Sequence, residues 1–176
     1  MDRKKNKGGV DMKKKGLIGI MIGVVIVLIV VAYIVIQGLL HPMNQIYNNT
    51  DKMRSKENSY NLFMQEQSII DTTYEANMEL EGMGMIWTYQ ATSDETIDIR
   101  YLLKNTQGQA KLVLVKANGE VQTIVEVKGN TNIDATQMAR VTLAKGENFI
   151  KVVAKGHAKI EVKLEAPKGS FKKLGF

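Results

Sequence analysis

The chain has 176 residues, 44% hydrophobic and 24% charged, an ordinary globular balance. It contains no Cys, which excludes disulfides, a thiol nucleophile and thiolate metal centres. The net charge of +6 suggests nucleic acid until it is divided: residues 1–15 carry +5 and the remainder +1, and a short tail has no folded face with which to read bases.

That tail, residues 1–15, holds Arg3, Lys4, Lys5, Lys7, Lys13, Lys14 and Lys15. Gly16 to Leu40 then run for 25 residues without a charge. At about 1.5 Å per residue they reach roughly 37 Å, more than a hydrocarbon core of about 30 Å. Val and Ile dominate the run, yet in lipid an isolated segment satisfies its backbone only as a helix. The run is too long for a secretory signal and lacks a small-x-small cleavage site. With the basic flank held inside, residues 16–40 are expected to be an uncleaved signal anchor in the plasma membrane. The N-terminus would then be cytoplasmic and residues 71–166 extracytoplasmic. Gly19 and Gly23 stand four apart, the spacing of some helix-dimer seams, although Gly is common in membrane helices anyway.

Residues 41–70 read as a stem. Polar residues from Asn44 to Asp51 interrupt it, and Tyr60, Phe63 and Met64 recur at helical spacing, which predicts a short helix over 55–68. From residue 72 the period becomes two. Tyr74 to Leu80, Met83 to Tyr89 and Ile97 to Leu103 alternate, separated by Gly82 and then a polar stretch. Past the turn Asn105–Gly108, Leu112 to Val115 is apolar on both faces, the mark of a central strand. Asn118-Gly119 predicts a type I′ hairpin. Val121–Val127, Val141–Leu143, Phe149–Val153 and Ala158–Leu164 complete about eight short strands with turn signals between them. The fold class predicted is mainly β, an antiparallel β-sandwich or jelly roll over 71–166. Residues 167–176, with Lys168, Lys172 and Lys173, are expected to be a basic tail outside the core.

Charge is unevenly placed. Residues 57–99 hold nine acidic residues and no Lys or Arg, whereas 100–176 carry a net +8. If the first and last strands are neighbours, Glu75 and Glu79 face Lys159 and Lys163, a cross-strand pairing that needs no functional explanation. Alternatively Glu75, Glu79, Arg100, Lys159 and Lys163 form an interaction surface of a dipolar domain.

Candidates for chemistry are few. His157 is the one His beyond the anchor-proximal His41, and it is placed in a turn beside Gly156. Asp94, Glu95 and Asp98 cluster without the spacing of an EF-hand. Met78, Met83 and Met85 near Trp87 could offer Cu(I) thioethers, but period-two Met beside an aromatic is the pattern of a core strand. Ser170-Phe-Lys-Lys173 matches Ser-x-x-Lys without its companion motifs. No catalytic residue, metal or cofactor is assigned.

Val141-Thr-Leu-Ala-Lys-Gly-Glu-Asn-Phe-Ile-Lys-Val-Val153, with the alternating strand to Leu164, resembles the closing hairpin of galactose-binding-like jelly rolls, a fold used by many carbohydrate-binding modules. In outline the chain resembles small membrane-anchored proteins of Gram-positive bacteria. The resemblance implies a glycan partner held by exposed aromatic rings, but the alternation puts Trp87 and Tyr89 on the core face. The function expected is therefore a non-enzymatic single-pass envelope protein whose outer domain binds another protein or its own copies. Glycan binding is the alternative, and it requires Trp87, Tyr89 or Tyr101 at the surface.

Overall fold

The structure is a computed structural model that describes residues 8–40, 42–129 and 135–175; the side chains of 8–19, 37–40, 42 and 44 lie outside the description. The chain divides after Pro42 into two units.

The first contains α1 (Gly8–Leu40). Every described side chain on it, from Ile20 to Ile36, is exposed. Among the described residues no helix is long and apolar enough to cross a membrane. Arg3, Lys4, Lys5 and Lys7 lie outside the described residues, as do the side chains of Lys13, Lys14, Lys15 and Gly19. A Cβ on Gly23 would meet nothing within 4 Å.

The second unit begins with a 3-10 turn (Pro42–Asn48) and the single-turn α2 (Thr50–Arg54). Asn49 caps α2 by accepting the Lys52 N–H at 3.0 Å. Seven strands follow: β1 (Ser59–Ile70), β2 (Thr73–Ala91), β3 (Glu95–Val115), β4 (Val121–Lys128), β5 (Gln137–Leu143), β6 (Gly146–Glu165) and β7 (Ser170–Phe171). They form one antiparallel sheet ordered β1-β2-β6-β3-β4, with β5 on β3 and β7 on β2.

The mainly-β antiparallel class predicted is therefore present, but the strands are divided differently. Six of the eight short strands predicted merge in pairs into the long β2, β3 and β6. The glycines read as turns between them, Gly82, Gly108 and Gly156, have φ of +107°, +75° and +71° but sit inside continuous strands. A left-handed glycine serves a turn and a β-bulge equally well. Register shifts mark a bulge of β6 around Gly156, opposite Leu80/Gly82 of β2 and Gln107/Gln109 of β3, and a bulge of β3 at Asn105/Gln107. Together they draw one crease across β2, β6 and β3, along which the sheet folds over on itself. Leu80 and Val162 on one side of it and Leu112 and Ile150 on the other then share a single core. Asn105, fully buried at the crease, donates to the carbonyls of Gly108 and Gly129.

Three further expectations are corrected. The helix over 55–68 is strand β1. Its register shifts between Phe63 and Glu66, with Met64 at φ +42°, and the extra residue breaks the alternation into something that imitates helical spacing. The hairpin at Asn118-Gly119 is not type I′, since Gly119 alone takes positive φ. Gly119 N–H donates to Lys116 O and Lys116 N–H to Glu120 O, a three-residue loop closed by a glycine bulge. The C-terminal residues are packed: β7 pairs with β2, and Leu174 is buried against Gly84.

The central-strand reading of Leu112–Val115 holds, with Leu112 and Leu114 in the main core and Val113 and Val115 on the opposite face. Ile46, Tyr47 and Met53 cover that face, together with Met83, Phe149 and Val153. Of the segment 41–70 read as a stem, residues 43–54 thus cover the second face of the sheet, and Ser59–Ile70 is a strand of the sheet itself.

Candidate functional site

On the other side of the crease the outer face of the sheet is uncovered. Antiparallel partners share a face, so the registers Glu75↔Lys163↔Leu102, Asn77↔Glu161↔Lys104 and Glu79↔Lys159 define it row by row. Its inward counterparts, Tyr74, Ala76, Met78, Ile160, Val162 and Leu164, are core. Glu75, Glu79, Arg100, Lys159 and Lys163, scattered in sequence, all stand on this one surface. The two strands face one another as the charge pattern predicts, and the register sets Glu75 opposite Lys163 and Glu79 opposite Lys159. Lys163 Nζ meets Glu75 at 2.6 Å, and that hydrogen bond raises the ammonium above its usual value. Lys104 donates to both oxygens of Glu161 at 3.0 and 3.2 Å, and Arg100 lies 4.0 Å from Glu165.

Beside the crease this face hollows into an open groove of about 420 Å³, lined by Met64, Asn77, Glu79, Lys104, Lys159 and Glu161 among others. Here the pairing departs from the register. Glu79 faces His157 Nδ1 at 3.2 Å instead of its partner Lys159. His157 is not in a turn; it occupies the β6 bulge at φ +49°, and its Nε2 is 3.8 Å from Glu81. Glu81 is buried, and its Oε1 has no hydrogen-bond partner. Phe63, opposite Glu79 on β1, is 48% exposed, with its ring centroid 6.2 Å from that of His157. Reading 55–68 as a helix hid this aromatic ring at the groove's edge. Two clues were in the sequence: Phe63 lies in a stretch free of Lys, Arg and Pro, and β-formers bracket it.

The aromatic rings that the glycan alternative requires at the surface do not line this groove. Trp87 is fully buried, with Nε1 donating to Lys168 O at 2.8 Å, while Tyr89 and Tyr101 are half-buried against the core. Asp94 accepts Lys145 N–H, Glu95 pairs with Lys168 and Asp98 with Arg140, so that trio is dispersed. Met78 and Met83 belong to opposite faces of the sheet. Among the described residues no three His, Asp or Glu side chains are grouped to hold a metal.

No family model matches the chain, and no curated protein matches it. Among solved structures it is similar to a carbohydrate-binding module of Cellvibrio mixtus lichenase 5A in complex with cellotriose, at 16% identity over 58% of this chain and 85% of that one, TM-score 0.34. It is likewise similar to a family 35 carbohydrate-binding module from an environmental isolate, at 18% identity over 60% and 77%, TM-score 0.30. Likenesses this loose decide neither fold nor ligand.

Proposed function

We propose that this chain is a membrane-anchored, non-enzymatic glycan-binding protein that presents the outer-face groove to a saccharide outside the cell. One observation carries the reading: the exposed Phe63 ring stands beside a groove lined both by hydrogen-bonding side chains and by the apolar Met64, Met78 and Ile160. A sugar ring offers C–H groups to an aromatic face and hydroxyls to donors and acceptors such as Asn77, Lys104 and Glu161. The anchor is supported by the uncharged run from Gly16 to Leu40 and its basic flank. The test is titration of the full chain in detergent micelles against a panel of neutral and charged polysaccharides. Phe63→Ala is expected to weaken binding about ten-fold, since burying such a side chain is worth roughly 1.5–3 kcal/mol, and Phe63→Trp to retain it. No binding across the panel would sink the reading.

A second reading, association with another protein or a second copy, is favoured by the sheet order. β1 and β2, at one side, hold four acidic residues and no Lys or Arg, whereas β3 and β4, at the other, mix three acidic residues with four basic ones. It predicts association that high salt weakens; sedimentation unchanged between low and high salt would exclude it.

A further inference from the structure

Of the charged side chains lining the groove, Glu161 is taken by Lys104, and Glu79 faces His157. That leaves Lys159, exposed, with no partner for its Nζ among the described residues although the register sets it opposite Glu79. The crease is the cause. The extra residues at Gly156 and His157 swing the imidazole toward β2, where it takes the carboxylate that an uninterrupted strand would give to Lys159.

Building on the glycan-binding reading, we propose that the groove selects saccharides bearing an anionic oxyacid group, that Lys159 recognises that group, and that His157 is a positioning residue which keeps Lys159 available by occupying Glu79. Glu79 and Glu81 of β2 face His157, Lys104 and Glu161 lie across the groove, and β1 brings the uncharged Phe63 and Met64 side chains. Lys155, nearby on the same strand, points instead to the Tyr47 ring at 4.8 Å. The Glu81 side chain is 4% exposed and has an orphaned oxygen, whereas that of Glu79 is 17% exposed and stands opposite Lys159 in the register, so Glu79 is the carboxylate that would pair with Lys159 if His157 did not occupy it.

The test uses the full chain in detergent micelles with two matched pairs of probes, polygalacturonate against its methyl ester and dextran sulfate against dextran. The pairs separate a carboxylate from a sulfate preference. At least one anionic polymer is expected to bind about ten-fold tighter than its neutral partner, the scale of a charge-assisted hydrogen bond. Lys159→Gln should abolish the preference while neutral binding persists. His157→Ala, with near-UV circular dichroism as a folding control, should weaken the preference several-fold, and adding Glu79→Gln to that variant should restore it. Equal binding within both pairs overturns the anion proposal and leaves glycan binding standing, while a preference that survives Lys159→Gln overturns the role of that residue. A preference unchanged by His157→Ala, or not restored by Glu79→Gln in that variant, removes the positioning role. If none of the four polymers binds, the anion proposal falls, and the fate of the glycan reading rests on Phe63 and the wider panel.

Discussion

Lys151 stands in the middle of β6 with its side chain fully buried, donating to the carbonyls of Ser55 at 2.5 Å and Glu57 at 2.8 Å. It ties the turn after α2 down onto the sheet. Burial lowers its pKa from the usual 10.5 to about 8, against the opposing pull of Glu57. Between those values the unfolded chain binds more protons than the folded one, so this group makes stability rise with pH from about 8 toward 10.5. The Tyr47 and Tyr74 hydroxyls are held above their usual value chiefly by burial. They retain protons that the unfolded chain loses above about pH 10, and there they act in the opposite sense. Urea unfolding across pH 7.5–11 should therefore show a maximum near pH 10, and Lys151→Met should remove the rise on its low side. Gly169 is a second sensitive position. Its φ is +93°, and a Cβ there would stand 2.5 Å from Trp87 Nε1, so Gly169→Ala should lower the melting temperature and shift the Trp87 emission. Neither position stands out in the sequence: Lys151 reads as an outward lysine, and Gly169 as part of a tail.

At the scale of elements, the segment 43–57 and the C-terminal residues are the additions that complete the sheet. Ile46, Tyr47 and Met53 cover Val113, Val115, Phe149 and Val153, with Tyr47 between Lys111 and Lys155 and its hydroxyl donating to Glu126 at 2.9 Å. Met53→Ala should cost about 2–5 kcal/mol in chemical unfolding. A chain starting at residue 59 should bind hydrophobic dye, because it uncovers an apolar patch. Glu75 and Lys163, by contrast, are solvent-facing, and neutralising both should leave the unfolding midpoint nearly unchanged. The alternation from Tyr74 to Leu80 and from Ala158 to Leu164 was legible because a half-buried strand requires it. β1 was not legible, because its bulge inserts a residue and shifts the phase.

For the whole molecule, the crease does most of the organising. It folds one sheet so that its two halves share a core, and it leaves one outer surface under the 43–57 segment and the other open. Residues 43–176 contain this entire arrangement, so that fragment is expected to fold alone with the melting transition of the full chain and to remain in the supernatant when the full chain pellets with membranes. A fragment that fails to fold would mean that α1 contributes to the sheet unit.

Composition and periodicity by themselves determined the class of the fold, the apolar N-terminal run, the double-sided strand Leu112–Val115 and the facing of Glu75 and Glu79 with Lys159 and Lys163. Each follows from local physics: a period of two, an uncharged stretch, or opposite charges on neighbouring strands. Tertiary structure alone decided that Gly82, Gly108 and Gly156 lie at the crease within long strands, since a left-handed glycine looks the same in a turn as in a crease. It also decided that Phe63 meets His157, and that His157 takes Glu79 from Lys159. Those residues come from strands separated by up to 96 positions in the chain, and their competition exists only where the folded sheet brings them together.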